Sequence, residues 1–199
     1  MKNIKQCVGR PKSFDEDQIL LLAMNYFWEH GYNDSSLENL LKVMNIKKSS
    51  FYCTFSSKEE LFSRCLALYR NVLSAQLKDL EKDLGPKETM LMLATITINE
   101  LKETGKVKGC LLVNSGQECY NKFNNLSQQI TSEFNFFMDL FEGFVTKAQN
   151  LGEIKSNKNA KILAGRYMNT LNGLIVSIQA GISQEMINDI IESAKEILE

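Results

Sequence analysis

The stretch from Ser35 to Phe55, SSLENLLKVMNIKKSSFYCTF, decides the fold. Ser35 or Ser36 supplies a helix N-cap, because a serine hydroxyl accepts from the orphan N–H groups of a first turn. Leu37, Leu40, Leu41 and Met44 recur at helical spacing and read as the inward face. Asn45 follows, and asparagine tolerates the left-handed backbone of a tight turn. Ile46 is an apolar plug after that turn, and Lys47 to Phe55 reads as a second short helix. The segment therefore has the grammar of a helix-turn-helix.

Side chains on that second helix are spaced by about 100°. Phe51 and Phe55 share one face, which must pack inward, while Ser49 and Cys53 lie nearly opposite with Ser50 and Tyr52 beside them. Lys47 and Lys48 stand at the leading end. A short face of small polar residues led by lysines suits insertion into a DNA major groove. Tyr52 can donate a hydroxyl to a phosphate, and Lys58 with the helix start at Ser57 forms a second phosphate anchor. Ser36, Thr54 and the small, apolar Cys53 complete the face, the last suited to a thymine methyl.

Working outward, Phe14 to about His30 reads as a first helix, favoured at its start by Asp15 to Asp17 and stopped by Gly31. Ser57 and Glu60 have capping-box spacing and open a fourth helix that runs to Leu84. Gly85-Pro86 ends it and begins a fifth. Breaks at 104–109 and 152–159, with starts near Gly109-Cys110, Asn124-Asn125, Asn159 and Gln184, bring the count to about nine helices. With prolines only at Pro11 and Pro86, and no hairpin dipeptide between alternating strands, the fold class is all-α. A composition shift near residue 57 divides the chain into a head, 1–57, and a helical body, 58–199.

Composition removes several functions. No apolar run nears the length of a membrane span and no signal peptide opens the chain, so the expected location is cytoplasmic. The cysteines Cys7, Cys53, Cys65, Cys110 and Cys119 include no CxxC pair, which argues against a zinc site or a disulfide framework. A single histidine, His30, excludes His-rich metal sites and leaves no visible catalytic constellation, so no enzyme, metal or cofactor is expected. Net charge is only −1, but residues 1–12 and 39–58 each carry four positive charges and no acid, a local electrostatic footprint for nucleic acid.

At these residues the chain resembles the TetR/AcrR family of bacterial one-component repressors. The resemblance runs from Gly9-Arg10-Pro11-Lys12 through Phe27-Trp28-Glu29-His30-Gly31-Tyr32 and Lys47-Lys48-Ser49-Ser50-Phe51-Tyr52 to Ser57-Lys58-Glu59-Glu60-Leu61. Asn45 stands where the family usually has glycine, and Thr54 where it often has histidine or arginine. The resemblance implies a homodimer whose two reading helices engage an inverted-repeat operator, and an arm at Arg10 and Lys12 that enters a minor groove. It also implies a body that binds a small-molecule effector and so changes the spacing of the heads.

For that effector the expected lining is Cys65, Tyr69, Met90, Cys110, Phe134, Phe137, Phe141 and Met168, an apolar set that favours a hydrophobic molecule. The stripes Leu163, Tyr167, Leu171, Leu174, Ile175, Ile178 and Met186, Ile187, Ile190, Ile191, Ala194 read as the dimer interface, by resemblance a four-helix bundle. Gly109-Cys110 at a helix N-terminus, near Lys106 and Lys108, is similar to electrophile-sensing members of the family, which makes Cys110 a candidate reactive thiol.

Overall fold

The protein is described by a computed structural model covering residues 15–120 and 122–199; Arg10, Lys12 and the Phe14 helix start lie outside the described residues. Among the described residues there are nine α-helices and no strand: α1 (Glu16–Asp34), α2 (Leu37–Val43), α3 (Lys48–Thr54), α4 (Lys58–Leu84), α5 (Pro86–Thr104), α6 (Leu111–Cys119), α7 (Asn124–Asn150), α8 (Ala160–Gln179) and α9 (Gln184–Glu196). Asp15 caps α1 by accepting from the Asp17 N–H at 3.0 Å. At Gly31 the backbone leaves helical geometry (φ 77°, ψ 169°), so the regular part of α1 ends at His30 as the glycine implied.

The turn between α2 and α3 is a Schellman motif. Asn45 is the only described non-glycine residue with positive φ, 52°. Its N–H donates to Lys42 O at 3.2 Å, and the Ile46 N–H reaches back to Leu41 O at 3.1 Å. Ser36 caps α2 through the Asn39 N–H at 3.1 Å, while the Ser35 hydroxyl donates to Gly31 O at 2.6 Å. The choice between the two serines is thus settled for Ser36.

The start of α4 departs from the simple capping box. Ser57 Oγ accepts from the Glu60 N–H at 3.1 Å, as expected. The Glu60 carboxylate, however, reaches one residue further back, accepting from the Ser56 N–H at 2.8 Å and from the Ser56 hydroxyl. Those two bonds, with help from Arg64, hold the Glu60 carboxyl below its ordinary value of 4.5.

The chain divides into two compact units after Tyr69 rather than after Ser57. The reason lies in the first turns of α4, where Leu61, Phe62, Cys65 and Leu66 are fully buried in the head. In that unit Phe27 meets Phe62 edge-on at 4.7 Å, and Trp28 meets Tyr69 at 5.2 Å. In the second unit, α7 buries Leu126, Ile130, Phe137, Phe141 and Phe144. The Tyr167 hydroxyl of α8 donates to Met90 O of α5, and burial pushes the Tyr167 phenol up. Glu153, in the loop before α8, accepts from the Lys87 N–H at 3.2 Å and so caps α5.

Two outcomes test this local chemistry. Asn45→Gly should preserve or slightly raise stability, whereas Asn45→Val should cost about 1–2 kcal/mol in urea unfolding, because a β-branched residue resists positive φ. Because the folded Glu60 carboxyl titrates below 4.5, its contribution is complete above that pH and is lost as pH falls through the depressed value. Melting curves of Glu60→Gln and the unsubstituted protein should therefore differ at neutral pH and converge in acid.

Candidate nucleic-acid interface

Helix α3 has seven residues, too few to persist alone, so its face is set by what anchors it. Phe51 and Phe55 are both fully buried, with ring centroids 5.5 Å apart. The guanidinium carbon of Arg64 lies 5.2 Å over the Phe55 ring, and Arg64 Nη1 donates to Glu16 Oε1 at 2.5 Å, tying α4 to α1 behind the reading helix. With those rings fixed inward, Lys47, Lys48, Ser49, Tyr52 and Cys53 are exposed and Ser50 half-exposed. Tyr52, at 52% exposure, stands edge-on against the Phe51 ring at 5.2 Å. Beside this face, a groove of about 740 Å³ lies between the start of α1 and the Asn45 turn, with Lys47 and Ser50 at its edge.

Four expected contact residues behave differently. Cys53 is disulfide-bonded, so it is not the small thiol proposed for a thymine methyl. The Thr54 hydroxyl oxygen is buried and makes no hydrogen bond among the described residues, so it is not presented to a phosphate. Lys58 Nζ sits 4.4 Å over the Tyr32 ring and 3.5 Å from Asn33 O, which gives it a structural role in the head. Ser36 is occupied as the α2 cap.

The expected effector lining is scattered. Cys65 and Tyr69 belong to the head: the Cys65 thiol donates to Leu20 O at 3.7 Å, burial pushes it up, and Tyr69 packs on Trp28. Met90 is fully buried, and Phe137 and Phe141 nearly so. Phe134, Met168 and Cys110 remain half-exposed. The residue missed is Glu133, 4% exposed. Its signal was present, because Leu126, Ile130, Glu133, Phe137, Phe141 and Phe144 form one buried stripe at spacings of three and four, with an acid at an apolar position.

Of the expected dimer stripes, Leu163, Tyr167, Leu171, Leu174, Ile175, Ile178, Ile187 and Ala194 are buried within the subunit. Met186 is 53% exposed, and Ile190 and Ile191 are partly exposed. The outer face of α8 instead carries Ile162, Gly173 and Val176, with nothing within 4 Å of a side chain built at Gly173.

A reading helix braced by aromatic burial, in a helix-turn-helix head followed by an all-helical body, defines a one-component DNA-binding regulator. Residues 19–65 match the family described as bacterial regulatory proteins, tetR family, and residues 86–193 match the tetracyclin repressor-like C-terminal domain. The chain belongs to the TetR family and is a DNA-binding transcriptional regulator, a class distinct from enzymes. It is 28% identical over 191 residues to the HTH-type transcriptional repressor ComR of Escherichia coli K12, covering 94% of this chain and 90% of that one. It is also similar to a cysteine mutant of the TetR family transcriptional regulator CifR complexed with 26bp double-strand operator DNA, at 26% identity and TM-score 0.80, covering 96% of this chain and 100% of that one. Reduced NemR of E. coli shares the fold, with TM-score 0.82 at 18% identity, covering 92% of this chain and 96% of that one. No helix of the described residues is long and apolar enough to cross a membrane.

Lys58→Ala should lower the melting temperature of the head by removing its contact with the Tyr32 ring, worth about 0.5–1 kcal/mol at an exposed site. A side chain serving only as a phosphate anchor would leave thermal unfolding unchanged.

Proposed function

We propose that the protein is a cytoplasmic homodimeric repressor that holds a palindromic operator through α3 and releases it when a small molecule binds the body. The observation that carries the reading is the division of α3 into a fully buried phenylalanine face and an exposed face of Lys47, Lys48, Ser49 and Tyr52. The named repressor ComR and the operator-bound CifR support it. Two such faces related by a twofold axis would enter successive major grooves about 34 Å apart. The effector acts by favouring the conformer whose spacing does not fit. The partner subunit docks on the outer face of α8 at Gly173 and Val176 together with Met186 and Ile190 of α9, where exposed apolar and small residues permit close helix approach.

A second reading places the signal at Cys110. Among the described residues, the Cys65 and Cys119 thiols are fully buried, and Cys110, at the N-cap of α6, is half-exposed. An electrophile or oxidant would then act in place of a bound effector.

Binding to a duplex from the protein's own upstream intergenic region, followed by fluorescence anisotropy, tests the first reading. Lys48→Ala should weaken binding several-fold and reduce the salt slope by about one, and Tyr52→Phe should weaken it with the slope unchanged. Affinity indifferent to both substitutions would remove α3 from the interface. Val176→Arg should convert the dimer to a monomer in size-exclusion chromatography with light scattering. For the second reading, N-ethylmaleimide should release the duplex from the unsubstituted protein and not from Cys110→Ser.

A further inference from the structure

The body contains a buried carboxylate whose partners are incomplete. Glu133 of α7 is 4% exposed, and its Oε2 accepts no hydrogen bond among the described residues. Arg70 of α4 lies opposite, with Nη1 3.4 Å from that oxygen, close enough for charge attraction but without hydrogen-bond geometry. Both Arg70 Nε and Nη2 point instead to Asn71 Oδ1, each at 3.3 Å. The guanidinium carbon sits 5.3 Å over the ring of Phe136.

A buried charge pair stabilises only when its remaining lone pairs and protons are satisfied, and here they are divided between an exposed amide and a buried acid. A carboxylate beside an aromatic face is the chemistry that holds an organic cation. Arg70 fills that site from its own chain, and does so imperfectly. Phe137 follows Glu133 by one turn on the same face of α7, which gives an apolar continuation.

We propose that Glu133 and Phe136 form the charged end of the effector site, that the effector is an organic ammonium with an apolar tail, and that it binds by displacing the Arg70 guanidinium. The inference rests on the effector-release reading and changes its chemistry from a wholly apolar molecule to a cationic amphiphile. It also names the outlet of the signal: Arg70 belongs to α4, the helix that starts four residues after α3 ends. Displacing Arg70 removes the charge attraction that links α4 to α7.

The test uses one skeleton with three charges, 4-phenylbutylammonium, 4-phenylbutanol and 4-phenylbutyrate, titrated into the full chain by calorimetry. The ammonium should bind about tenfold or more tightly than the alcohol, equivalent to about 1.4 kcal/mol, and the butyrate should bind least. Glu133→Gln should erase the preference. Arg70→Met, which keeps the stem and removes the competing charge, should tighten ammonium binding about tenfold. Arg70→Met leaves the carboxylate in place, so it decides the matter if the glutamine variant does not fold. Equal binding of ammonium and alcohol, preference for the butyrate, no binding of any of the three, or a preference that survives Glu133→Gln would each overturn the proposal. Anisotropy with the duplex alone is run in parallel. Salt-dependent duplex binding without ammonium preference defeats this inference and leaves the operator reading standing, and the opposite pair of results defeats the operator reading alone.

Discussion

The head depends on the burial of Phe51 and Phe55. Seven residues cannot sustain a helix in water, and the propensities of Ser49, Ser50 and Thr54 do not help. What holds α3 is the removal of two phenyl rings from solvent, each worth roughly 1.5–3 kcal/mol. Because the two side chains are four residues apart, their burial fixes both the presence of the helix and its rotation about its axis. The polar face is then a geometric remainder. Lys48 and Tyr52 point outward because Phe51 and Phe55 do not.

The rest of the head serves that anchorage. The Asn45 turn sets the angle at which α3 leaves α2, and the bonds from Ser56 and Ser57 to Glu60 set the angle at which α4 departs. Arg64 then joins both ends of the arrangement, with its charge on Glu16 and its plane over Phe55. A displacement of α4 is therefore felt by α3 through one side chain and a rigid cap. In the body, Arg70 lies six residues further along the same helix, and its counter-charge is on α7.

Helix positions were legible in the sequence because their determinants are local: glycine and proline breaks, serine and asparagine caps, and a period of three to four. The reading face of α3 was legible for the same reason. What periodicity does not carry is the identity of the element on the other side. The stripes of α8 and α9 are apolar, and their burial is satisfied within the subunit at Leu174 and Ile187, which leaves Gly173 and Val176 outward. The division near Ser57 followed charge, whereas the units are separated by packing, and Leu61 to Leu66 pack with the head. Glu133 was readable in principle, as an acid at a buried register position, and was passed over among its phenylalanine neighbours.

The division after Tyr69 has a consequence for swapping modules between relatives. A chimera joined at Ser57 would graft a head without Leu61, Phe62 and Leu66, and the recipient helix would have to refill that core with side chains shaped for another head. A junction beyond Tyr69 carries the whole hydrophobic seat, the Arg64 brace and the Ser56–Glu60 cap as one inheritable cassette. It leaves Arg70 together with Glu133, the acid it faces, in the body. The portable unit of sequence recognition in this chain is thus a four-helix block, two helices longer than the helix-turn-helix within it.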